Sequence, residues 1–120
     1  MGIEISEVLE IQVTLTPSEA AEKVKACLSG GLGDTELLDD YTKRTADGKE
    51  IVMRLFERYY LRTANRATLT MLAENLDGDG TTRVRFSAGG GGGGILMRFD
   101  WWAGTSFAKE AQKALEEYRV

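Results

Sequence analysis

Arginine stands at every fourth position from 54 to 62, interleaved with Phe56 and Tyr60, and Arg83, Arg85 and Arg98 follow at later alternating positions. Planar guanidinium groups interleaved with aromatic rings are how sheet surfaces hold phosphate-bearing or other anionic ligands. With a two-residue repeat, Arg54, Arg58 and Arg62 share one face with Phe56 and Tyr60, and a neighbouring strand adds Arg85. Against this stand an acidic pI of about 4.9 and Glu4 and Glu10 on the corresponding face of the first strand. Cross-strand ion pairing would use up such a patch. The residues weigh toward a mutually neutralising surface, and anion or nucleic-acid binding through Arg54, Arg58, Arg62 and Arg85 is the alternative.

Other chemistry is scarce. The chain has no histidine, which removes the usual neutral-pH base and the commonest transition-metal ligand. The single cysteine, Cys27, is expected on the core side of a helix, away from the positive N-terminal end that would activate it. Six consecutive glycines, Gly89 to Gly94, resemble a phosphate loop only superficially, because Ile95-Leu96-Met97 follows where Gly-Lys-Ser/Thr would be needed. Asp77-Gly78-Asp79-Gly80 lacks the rest of a calcium loop and reads as a hairpin turn. Asp100 beside Trp101 and Trp102 could have a raised pKa in a pocket, but two tryptophans straddling a sheet explain the pair better. No catalytic residue, metal site or cofactor is assigned.

The elements that must position these residues follow from periodicity. Ile3, Ile5, Leu9, Ile11, Val13 and Leu15 occupy odd positions of a first strand. Thr16-Pro17-Ser18-Glu19 then forms a capping box with proline at the first helical position, and Gly30-Gly31 stops a helix over 17–29. A weaker strand spans 36–46, and Asp47-Gly48 turns it into a strand over 50–62 whose odd residues Ile51, Met53, Leu55, Tyr59 and Leu61 are expected in the core. Ala67, Leu69, Met71 and Ala73 predict the next strand, and Val84 and Phe86 another over 81–88 with Arg83 and Arg85 outward. The glycine run predicts a loop or distorted edge, and Ile95 to Trp101 alternate as a further strand. A last helix carries Phe107, Ala111, Ala114, Leu115 and Tyr118 on one stripe.

An antiparallel meander with one apolar face needs a cover, and two amphipathic helices supply it. The fold class is α+β: a two-layer sandwich of order β-α-β(4-5)-α in a single domain over residues 1–120. This order resembles the helix-grip and TATA-binding-protein-like folds, where a curved sheet wraps a C-terminal helix, but such folds host many functions. The stretch Tyr59 to Ala67, the glycine run and Arg98-Phe99-Asp100-Trp101 resemble a small bacterial family of uncharacterised proteins. That resemblance implies no activity and no site residue.

Composition sets the remaining bounds. A chain of 120 residues, 42% hydrophobic and 28% charged, is long enough for one real core and has no apolar run near the roughly 20 residues that span a bilayer. One cysteine forms no internal disulfide, so a cytoplasmic location without membrane association is expected. The leading function is a noncatalytic domain binding a small apolar ligand or a protein partner between sheet and C-terminal helix, lined by Tyr59, Trp101 and Phe107. Its alternatives are the arginine face and a homodimer formed through the exposed sheet.

Overall fold

The computed structural model describes residues 7–29, 34–60, 65–90 and 101–120. Its elements are β1 (Glu7–Val13), α1 (Pro17–Ser29), β2 (Asp34–Arg44), β3 (Glu50–Tyr60), β4 (Asn65–Glu74), β5 (Thr82–Gly90) and α2 (Trp101–Lys113), with a short 3-10 turn at Glu116–Tyr118. The strands form one open antiparallel sheet of order β1-β5-β4-β3-β2. Both helices lie on one face, so the expected α+β sandwich is what forms. None of the described helices is long and apolar enough to cross a membrane.

The local signals hold where the chain's own chemistry suffices. Thr16 Oγ1 accepts from Glu19 N at 3.1 Å, and Glu19 Oε1 accepts from Thr16 N at 3.0 Å, which is the expected capping box. Gly48 (φ 89°) closes the β2–β3 hairpin, and Gly78 (φ 71°) and Gly80 (φ 83°) turn β4 into β5, all in the left-handed region that favours glycine. Asp79 accepts from Thr81 N and Thr81 Oγ1 at 3.0 and 2.7 Å, so the acidic turn uses its carboxylate internally.

Between sheet and helices lies a core of Ile11, Val13, Val24, Leu28, Val52, Phe56, Leu69, Met71, Val84, Phe86, Phe107 and Leu115, each at most 2% exposed. The expected stripe is present, with Phe107, Ala111 and Leu115 buried and Ala114 and Tyr118 half-buried, but α2 ends at Lys113 and Tyr118 lies in the 3-10 turn instead of the helix. Trp101 opens α2 instead of ending a strand, and Gly89 and Gly90 continue β5 instead of forming a loop. The expected strand residues Ile3, Ile5 and Ile95 to Asp100 lie outside the described residues.

The largest departure is the parity of β3. Its even residues Glu50, Val52, Arg54, Phe56 and Arg58 face the helices, while Ile51, Met53 and Leu55 lie half-buried on the helix-free face. Antiparallel partners share a face, and the register sets Val52 opposite Ala73, Arg54 opposite Met71 and Phe56 opposite Leu69. Because β4 turns its odd residues inward, β3 must turn its even ones inward.

Candidate functional site

The two inward arginines sit where the helix layer ends above the outer strands. Arg58 is 2% exposed and grips three elements. Its Nη1 and Nη2 donate to Glu110 Oε1 and Oε2 of α2 at 2.6 and 3.1 Å, its Nε to Thr35 Oγ1 of β2 at 2.7 Å, and its Nη2 also to the Leu28 carbonyl at the end of α1 at 3.4 Å. The guanidinium carbon stands 4.6 Å from the centroid of the Phe107 ring. A bidentate ion pair stacked on an aromatic ring fixes orientation as well as charge, so Arg58 locks α1, α2 and β2 onto β3.

Arg54, four residues earlier on β3, donates through Nη2 to Glu22 of α1 at 2.7 Å and through Nε to Asp40 of β2 at 3.1 Å. Its Nη1 is buried without a hydrogen-bond partner. Burial disfavours its charge, yet Glu22 and Asp40 outweigh that and raise its pKa. Both stems lie under the helices while the carboxylate partners reach toward solvent, the arrangement long basic side chains favour at the margin of an apolar layer.

Glu50 is the third inward charge. Its Oε1 accepts from Ser18 N at 2.9 Å and its Oε2 from Arg44 Nε at 2.9 Å. Burial works against the carboxylate, but the Arg44 and Ser18 bonds prevail and hold its pKa below the ordinary 4.5. With Pro17 lacking an N–H and Glu19 and Ala20 bonded to Thr16, the α1 N-terminus is fully satisfied within the chain. It has nothing left to offer an anion.

This arrangement corrects the arginine face. Arg54 and Arg58 point into the helix side, whereas Arg85 points away from it and lies 3.7 Å from Glu10 across the β1–β5 pair. Arg83 likewise pairs with Asp77 at 3.1 Å. Arg62 lies outside the described residues. Phe56 is core, not surface.

It also separates the residues expected to line a ligand space. Phe107 is buried under the helices, while Tyr59, on the opposite parity from Arg58, lies on the helix-free face with Arg66 5.5 Å from its ring centroid. Trp101 begins α2, and its side chain falls outside the described residues. Among the described residues there are shallow depressions of about 180 Å³ beside Thr16, Lys49 and Thr81 and about 210 Å³ beside Glu10, Gln12, Arg83 and Arg119; neither is lined by Tyr59 or Phe107. Cys27 is half-buried with Sγ 3.9 Å from the Glu110 carbonyl, and burial, then the Glu110 charge, push its thiol pKa up, which leaves it a poor nucleophile.

Reasoning from sequence missed the helix-free face. Tyr41, Met53 and Leu72 stand directly opposite one another on β2, β3 and β4, with Ile51 and Leu55 beside Met53. Tyr41 is 51% and Leu72 36% exposed. The signal for it is the odd apolar set of β3, which periodicity alone assigns to the core. No curated protein and no solved structure matches the chain. A family profile matches residues 7–119, nearly the whole chain, and the protein therefore belongs to DUF6054, a family of unknown function.

Proposed function

We propose that this domain is a noncatalytic protein-interaction module that engages another polypeptide through the helix-free face of its sheet. The observation that carries the reading is the apolar row Tyr41, Met53 and Leu72, flanked by Ile51 and Leu55, on the side that neither described helix covers. Strand β3 spends apolar residues on both of its faces, and α1 and α2 cover one of them. Charged residues border the row: Lys43, Glu74 and Arg83 on one side and Asp39 and Glu57 on the other. Such an apolar centre with a polar rim is the anatomy of a protein interface. The filled layer beneath α2 gives a small apolar ligand no comparable support. A cytoplasmic location suits a chain whose single thiol has no internal disulfide partner.

The test is photocrosslinking in the cells that express the protein, from a reactive amino acid at Leu72 and, as control, at the exposed Lys25 of α1. A discrete protein adduct from position 72 that position 25 does not give is expected. Equal labelling or no adduct at 72 overturns the reading.

A further inference from the structure

The two edges of the sheet are treated differently. At the C-terminal end of β1 the last residues of the sequence close the edge: Thr14 N donates to the Tyr118 carbonyl at 3.0 Å and Val120 N to the Gln12 carbonyl at 2.9 Å. Along β2 no described segment plays that part. This strand is exposed over most of its length, and it carries Leu38 (48% exposed) and Tyr41 at the rim. An open edge of this kind is a template for another strand.

Its charges say which strand. Asp39 and Lys43 lie on the helix-free face, on either side of Tyr41, opposite Leu55 and Ile51 respectively. Neither makes an ion pair among the described residues. We propose that the partner is a second copy of this chain, joined by antiparallel pairing of β2 with β2 about a two-fold axis at Tyr41. The proposal goes beyond the interaction-face reading: it adds a contact at the sheet edge and leaves the face around Leu72 open to another polypeptide. In this register each Asp39 meets the other copy's Lys43, so two unused charge pairs are satisfied at once, and the exposed tyrosines meet at the axis.

Competing registers are worse. Centring the axis on Asp40 sets that carboxylate against itself. Centring it on Thr42 sets Asp40 against Arg44, but Asp40 already binds Arg54 and Arg44 already binds Glu50. The irregularity between Leu37 and Asp39 ends the regular run just where the proposed pairing ends. The apolar row then continues across the axis, from Leu72 through Met53 and Tyr41 of one copy to the same residues of the other.

Sedimentation equilibrium of the full chain at rising concentration tests this. The unaltered protein should show a monomer–dimer equilibrium. Asp39→Lys alone and Lys43→Glu alone each set like charges opposite one another twice, and each should weaken the dimer by about tenfold. An equimolar mixture of the two variants restores opposite charges at both contacts and should recover the dimer. Circular dichroism unchanged by either exposed substitution confirms that folding is intact. A protein that stays monomeric at every concentration overturns the second copy, while an adduct from Leu72 would still uphold the interaction face. A dimer indifferent to both substitutions overturns the β2 pairing.

Discussion

Strands β3 and β5 look alike as sequences and behave in opposite ways. Each alternates arginine with apolar residues, yet β5 sends Arg83 and Arg85 outward while β3 sends Arg54 and Arg58 under the helices. The difference lies in what each strand has on its other parity. Outward turning of Arg83 and Arg85 lets Val84, Phe86 and Ala88 join the core, and the arginines need only the exposed partners Asp77 and Glu10. On β3 the inward parity is mixed, because Val52 and Phe56 alternate with Glu50, Arg54 and Arg58. Its inward charges survive burial because helices and β2 bring Glu22, Asp40 and Glu110 to them. A charge on a sheet is therefore a surface feature or a structural bolt depending on the neighbour that the tertiary fold supplies.

The sharpest way to break this contrast is at Arg58. Replacement by alanine strips Glu110 of its bidentate partner, leaves the Leu28 carbonyl and Thr35 without a donor, and opens space against Phe107. A loss of about 3 kcal/mol is expected in urea denaturation, with α2 loosened first in hydrogen exchange.

Glu50 should follow. Its pKa lies below the ordinary 4.5 in the folded protein, so its stabilising share is complete above that value and fades as pH falls through the lower, folded one. Glu50→Gln should cost about 1–2 kcal/mol at neutral pH, and the gap to the unaltered protein should narrow below pH 4.5 in denaturation series. A gap constant with pH would remove the carboxylate from this role.

The smallest effect belongs to β5. Arg85→Ala should change stability by less than about 0.5 kcal/mol, since its pair with Glu10 is long and both side chains are half in water. An effect approaching that of Arg58 would erase the distinction between the two strands.

Local chemistry is what the chain declared by itself. Thr16, Pro17 and Glu19 announce the start of α1, Asp47-Gly48 and Asp77-Gly78 announce turns, and the alternation in β1, β4 and β5 announces which side is buried. These signals work because the interacting groups lie within a few residues of one another. They were enough for the α+β sandwich, the order of its elements and the absence of a histidine-based site.

The parity of β3 could not be had that way. Its odd residues form the more apolar set, and only the register with β4, together with carboxylates on α1, α2 and β2, turns the even set inward. The same inversion dissolved the supposed arginine face, parted Tyr59 from Phe107 and exposed the apolar row at Tyr41, Met53 and Leu72. Glu110 lies 52 positions from Arg58 along the chain, and Glu22 lies 32 from Arg54. Periodicity reports which residues share a side; which side faces inward depends on partners that far away, and only tertiary structure brings them within bonding distance.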